Sequence, residues 1–151
     1  MKKVRIGVIG VGNMGSGHAN ILTNGLIPNA ELTALCDIAE ARRTELKKQY
    51  PEIPVFADAE EMMKSGLVDA VTIAVPHYDH PPLAILAFSY GLHVLTEKPA
   101  GVYTKQVLEM NQAAEKSGKV FGIMYNQRTN PVYQKIRQLI QEGALGQIKR
   151  V

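Results

Sequence analysis

Val8-Ile9-Gly10-Val11-Gly12-Asn13-Met14-Gly15 is the stretch on which the reading of this chain turns. The apolar run from Val4 to Ile9 leads into G-x-G-x-x-G, and an amphipathic pattern follows it. The glycines therefore stand between a buried strand and a helix, the context this motif needs. Gly10 permits a tight turn, Gly12 lets backbone amides approach a diphosphate, and Gly15 lets the helix pack closely on the strand. A diphosphate would rest at Asn13 and Met14 on the helix start, where unpaired N–H groups and the helix dipole favour an anion.

Glycine spacing alone is weak evidence, because turns collect glycine for conformational reasons. The next apolar run strengthens it. Glu31-Leu32-Thr33-Ala34-Leu35-Cys36-Asp37 ends in an acid about 20 residues beyond the loop, as a ribose hydroxyl pair requires. Asp37 also has a structural reading, since Asp37-x-x-Glu40 has the form of a capping box and Asp58-x-x-Glu61 repeats it. One aspartate can serve both purposes. Asp37 repels a 2′-phosphate, so NAD is favoured over NADP unless Arg42 or Arg43 turns inward.

Outward from this unit, short apolar runs alternate with helical patterns, the rhythm of βαβ units. The expected strands are Val4 to Ile9, Glu31 to Asp37, Val55-Phe56, Ala70 to Val75, His93 to Thr96 and Val120 to Met124. Most are continuous aliphatic runs, as in strands buried on both faces. Met14, His18, Ile21 and Leu22 share one helical face that stops at Gly25. Leu83, Leu86, Ala87 and Tyr90 do so before Gly91, and Val107, Met110 and Ala114 before Gly118. In the last helix Asn130 caps, Pro131 fills the first position, and Val132, Ile136, Leu139 and Ile140 form a stripe before Gly143. Gln147 to Val151 has the look of a strand beginning. The expected fold is α/β, a Rossmann-type, doubly wound, mainly parallel sheet with helices on both faces. Residues 1–125 form the dinucleotide-binding domain, and 126–151 a crossover helix leading into an α+β substrate domain that lies outside this chain.

The 151 residues suit one domain, and 46% hydrophobic content supports one packed core. Of the net charge of +3, residues 127 to 151 hold five positive charges against Glu142 alone, which leaves the first 126 residues at −1. That balance excludes a nucleic-acid binder by composition. The lone Cys36 excludes an intrachain disulfide, and no Cys/His spacing suggests zinc. The apolar stretch near the start is broken by three glycines, so no signal peptide is read there, and no run of ~18 apolar residues spans a bilayer. A cytoplasmic protein, free of membrane and nucleic-acid partners, is the expectation.

Further stretches give the chain a resemblance that covers nearly its whole length. His18 follows three residues after the glycine loop. Val75-Pro76-His77-Tyr78-Asp79-His80 comes next, then Gly91-Leu92-His93-Val94-Leu95-Thr96-Glu97-Lys98-Pro99-Ala100. Tyr125-Asn126-Gln127-Arg128 through Asn130-Pro131, and the helix ending Gly143-Ala144-Leu145-Gly146, complete the set. In these the sequence resembles the glucose-fructose oxidoreductase and inositol dehydrogenase (Gfo/Idh/MocA) family. The strand followed by Glu97-Lys98-Pro99 is the most specific part, because it sets a lysine at the carboxyl end of a parallel strand, where ligands of such sheets bind.

The resemblance implies that Lys98 faces the nicotinamide and touches the reacting oxygen of the substrate. It also implies a cis Lys98-Pro99 bond, with Glu97 beside the nicotinamide ribose and Ala74, Pro76 and His80 lining the cofactor edge. An ammonium at Lys98 would stabilise alkoxide character as hydride leaves a secondary alcohol. The implied activity is hydride transfer between NAD and a sugar, cyclic polyol or related secondary alcohol, by a full-length protein that is a homo-oligomer. The family's proton-transferring Asp and His pair belongs to the second domain, so this chain alone is expected to bind dinucleotide with little turnover.

Plainer readings stand beside these. Lys98 fits an exposed loop lysine, His80 a helix-start residue, His18 a packed helix residue, and Cys36 a small buried hydrophobe. His77-x-x-His80 lacks a third ligand, so no metal is expected. Two other function classes use similar glycine loops: a dinucleotide-sensing regulator and an S-adenosylmethionine-dependent methyltransferase. Glu97-Lys98-Pro99 has no obvious task in the latter.

Overall fold

The structure, a computed structural model, describes residues 2–150. Six strands form one sheet: β1 Val4–Ile9, β2 Ala30–Cys36, β3 Val55–Phe56, β4 Ala70–Ile73, β5 His93–Thr96 and β6 Phe121–Ile123. All neighbours pair in parallel, in the order β3-β2-β1-β4-β5-β6. Strand order reverses between β1 and β4, and in such sheets that switch point opens a crevice outside the strands' carboxyl ends. The helices are α1 Asn13–Thr23, α2 Glu40–Gln49, α3 Ala59–Lys64, α4 His80–Ser89, α5 Thr104–Ser117 and α6 Pro131–Gln141.

Alternation along the strands builds two cores, one on each sheet face. Val8 and Leu35 join Ala19 and Leu22 of α1 and Leu46 of α2. Their neighbours Ile9, Ala34 and Cys36 point the other way, against Met62, Ala84, Ala87, Phe88 and Met110 of α3, α4 and α5. Continuous aliphatic runs therefore read correctly as doubly covered strands.

Three expectations change in the helices. In α1 the buried residues are Gly15, Ala19 and Leu22, whereas Met14 and Ile21 are exposed, because Gly15 must meet β1 and carries its own face inward. In α4 the buried face is His80, Ala84, Ala87 and Phe88, which leaves Leu83 and Leu86 half-buried at a cleft wall. The N-cap of α2 is Ala39, so Asp37 does not cap that helix, while Asp58 caps α3 by accepting from the Glu61 amide at 2.9 Å.

Strand ends move by one or two residues. Gly25, with φ of +67°, ends α1 as expected, its amide donating to Leu22 and that of Leu26 to Ile21. Asn130 caps α6 through the Val132 amide at 3.0 Å, with Pro131 in the first turn. No residue of α6 is buried, and residues 147–150 form no strand, since no neighbouring strand pairs with them. Val151 lies outside the described residues.

Candidate active site

One register row organises the site. Cys36 pairs with Ile9, Ile9 with Ile73, Ile73 with Thr96, and Thr96 with Ile123. The residues one step further, Asp37, Gly10, Ala74, Glu97 and Met124, therefore share one sheet edge. The ladder continues into them: Gly10 N–H donates to Cys36, Ala74 N–H to Ile9 and Glu97 N–H to Ile73, each at 2.8 Å. The glycine loop and the lysine-bearing turn thus leave the sheet at one level and on one edge.

The glycines are required by space. Gly10 has φ of +80°, and a Cβ there would lie 2.7 Å from the Ala74 carbonyl oxygen. A Cβ on Gly15 would overlap the Gly10 carbonyl oxygen, so α1 packs backbone to backbone against the turn. A Cβ on Gly12 would meet nothing within 4 Å, which leaves open space in front of the α1 start. Gly12 is the N-cap of α1 and offers no side-chain partner to the first-turn amides. Asn13 and Met14 are exposed there, free to present amides and side-chain surface to an anion.

Asp37 faces this loop. Its Oδ2 accepts from the Val11 amide and its Oδ1 from the Ala39 amide, each at 2.9 Å. The carboxylate holds the glycine turn against the end of β2 and keeps lone pairs for hydroxyl donors. The two nearby arginines are held by the glycine loop and the end of β2. Arg42 Nε donates to the Val11 carbonyl at 2.6 Å, its Nη2 to Ser16 Oγ at 2.6 Å and its Nη1 to Glu45 at 2.7 Å. Arg43 Nη1 donates to the carbonyls of Asp37 and Ile38. In these bonds neither arginine lines the cleft beside Asp37, whose carboxylate disfavours a 2′-phosphate.

A cleft of about 680 Å³ runs from Gly10, Gly12 and Asp37 across to Ala74, Pro76 and Leu83. Ile38, 90% exposed, stands at its rim, and Cys36 lies in its wall. Burial pushes the Cys36 thiol up to about 12, with Asp58 and Asp37 adding to the shift, so it is an inert wall residue.

His80 does not line this cleft. It is wholly buried, with Nδ1 2.7 Å from the Pro99 carbonyl oxygen and Nε2 2.9 Å from that of Val75. It ties the segment after β4 to the turn after β5. The Lys98-Pro99 peptide is cis, and Lys98 is exposed beside it.

Glu97 is only 5% exposed, deeper than a ribose contact implies, and its Oε1 lies 2.8 Å from His18 Nε2. The sequence marks His18 as a packed helix residue, and the structure adds this polar partner. Its place three residues after Gly15, on the helix face that meets the sheet, was the available signal.

The model of the oxidoreductase family with an NAD-binding Rossmann fold, Gfo/Idh/MocA, matches residues 4–125. The chain belongs to that family. Relatives with named activities align with it over nearly its whole length. Inositol 2-dehydrogenase of Corynebacterium glutamicum is 31% identical over 150 residues, which are 97% of this chain and 44% of that protein. D-glucoside 3-dehydrogenase of Escherichia coli is 30% identical over 149 residues, 96% of this chain and 41% of that one. Scyllo-inositol dehydrogenase from Lactobacillus casei, solved with NAD(H) and scyllo-inositol, superposes with a TM-score of 0.88 at 28% identity, over 97% of this chain and 43% of that one. The chain thus spans less than half the length of these Gfo/Idh/MocA relatives. Its cofactor is NAD, which the open α1 start and the carboxylate at the end of β2 fit. No helix among the described residues is long and apolar enough to cross a membrane.

Proposed function

We propose that this chain is the cofactor-binding half of a dehydrogenase that moves a hydride between NAD and a sugar, cyclic polyol or related secondary alcohol. The observation that carries the proposal is the shared register row. It brings the glycine loop, Asp37 and the Glu97-Lys98 turn to one edge, at the crevice of the sheet. The names of the relatives, inositol and glucoside dehydrogenases, supply the substrate class.

In this reading Gly12, Asn13 and Met14 hold the diphosphate while Gly10 and Gly15 shape the turn beneath it. Asp37 accepts from the adenosine ribose hydroxyls, and Ala74 and Pro76 form the opposite wall. When bound, NAD supplies the hydride acceptor. Lys98 is the catalytic residue. Its ammonium group meets the substrate oxygen and stabilises the negative charge that develops there as hydride leaves the carbon. The hydroxyl proton passes to an acid/base pair of a second domain beyond residue 151. The boundary near residue 125, the cytoplasmic location and the homo-oligomeric full-length protein belong to the same reading.

The test is turnover of the full-length protein with NAD against a panel of inositols, sugars and other polyols, with Lys98→Ala as the comparison. The expected result is oxidation of at least one polyol, with kcat falling by about 10²-fold or more on substitution. Undiminished turnover in Lys98→Ala would overturn the catalytic role. NAD binding without turnover anywhere in the panel would favour the regulator, and stabilisation by S-adenosylmethionine alone the methyltransferase.

A further inference from the structure

Glu97 poses a question that NAD binding does not answer. A carboxylate this deeply buried must be paired, because desolvating it without partners is costly. Its two oxygens take different partners on different elements. Oε1 lies 2.8 Å from Nε2 of His18 in the middle of α1, and Oε2 accepts from the Lys98 backbone amide at 3.2 Å. The Glu97 amide is in turn fixed to the Ile73 carbonyl at the end of β4. His18 is itself mostly enclosed, its side chain 15% exposed. The helix whose first turn faces the diphosphate is thereby joined, through one imidazole and one carboxylate, to the peptide that carries Lys98.

We propose that His18 is a positioning residue: it holds Glu97, and through it the Glu97-Lys98 turn, in register with the helix that seats the diphosphate. The inference rests on the reading of Lys98 as the residue that meets the substrate oxygen. With the Nε2–H of His18 donating, the Glu97 carboxylate keeps one rotamer, and its second oxygen is aimed at the Lys98 amide. Remove the imidazole, and the carboxylate is buried with a lost partner. It then turns toward water and releases the amide, so the nicotinamide side of the site loosens while the adenosine side, built on Asp37 and Gly12, keeps its own bonds. His18 touches neither substrate nor cofactor in this scheme.

The test uses the full-length protein and three variants, His18→Ala, His18→Gln and Lys98→Ala. Gln retains an N–H donor near the position of Nε2. Two quantities are read: amide hydrogen exchange, at Lys98 and at core amides such as Val8 and Leu35, and the dissociation constants of NADH and ADP. For His18→Ala the expectation is exchange at Lys98 about tenfold faster or more, with core amides unchanged. NADH should bind about tenfold more weakly and ADP within about twofold of the parent. His18→Gln should recover most of both losses.

Unchanged exchange at Lys98 in His18→Ala would overturn the proposal. So would equal acceleration of the core amides, equal weakening of ADP and NADH, or a Gln variant no better than Ala. Lys98→Ala should leave ADP binding and core exchange at parental values. Its turnover decides the role of Lys98 separately, so failure of the positioning role of His18 and failure of the dehydrogenase reading give different results.

Discussion

Gly12 and Gly15 sit three residues apart in the same motif and do different work. Gly15 is a packing residue, since any side chain would enter the Gly10 carbonyl, whereas the space in front of Gly12 is open to a ligand. Gly15→Ala should therefore cost about 3 kcal/mol of stability, at the upper end of overpacking effects, and lose NAD binding with it. Gly12→Val should stay within about 1 kcal/mol of the parent, as expected for an N-cap change. It should still weaken NAD by more than about tenfold, because the added methyls occupy the diphosphate's approach. Urea melts and NADH titrations of the two variants check the contrast. If Gly12→Val bound NADH normally, the diphosphate would not lie where the α1 start places it.

Elements are tied together at the opposite edge of the sheet by Arg5 and Asp69. Asp69 accepts from Arg5 Nη2 at 2.6 Å, from Nε at 3.1 Å and from the Arg5 backbone amide at 3.0 Å, joining the start of β1 to the start of β4. These bonds hold the Asp69 carboxyl down at about 2. A folded-state value below the unfolded one means stability that is present above an unfolded value of about 4 and lost as pH falls through the folded one. The Asp69 side chain is 37% exposed, and solvent screening reduces the contribution to ~1 kcal/mol. Asp69→Asn should thus be less stable than the parent by about that amount at pH 7, with the gap closing from about pH 4 downward, measured by urea titration across pH. The element α6 behaves differently. Its Val132, Ile136 and Ile140 are exposed, so Ile136→Ser should change the melting free energy by less than about 0.5 kcal/mol, where a core isoleucine would cost several times more.

At the scale of the whole molecule, stability and cofactor choice are linked. NAD at about 100 times its dissociation constant should raise the unfolding free energy by ~2.7 kcal/mol. NADP at the same concentration should raise it far less. Asp37 is fixed at the end of β2 with both arginines engaged by the loop and the strand end, so no cation of the cleft lining offsets its repulsion of a 2′-phosphate. Thermal melts with each dinucleotide check this, and equal shifts would mean that Arg42 or Arg43 leaves its bonds to meet the phosphate.

The amino-acid order alone determined what depends on neighbours along the chain. The strand-glycine-helix unit from Val4, the aliphatic runs of a doubly covered sheet, the Asn130 and Asp58 caps, and a lysine at the end of β5 were all legible, because periodicity and turn chemistry act over a few residues. Only the folded chain decided which helix faces turned inward, since Gly15 commits α1 to the sheet at the expense of Met14 and Ile21. It also decided that Asp37 would bind the Val11 amide instead of capping α2, that His80 would be sealed between two carbonyls, and that His18 would meet Glu97. Those pairs lie 26, 19 and 79 residues apart for Asp37 with Val11, His80 with Pro99, and His18 with Glu97. Contacts of that span exist only once strand order has set the distances between elements, and no local pattern encodes them.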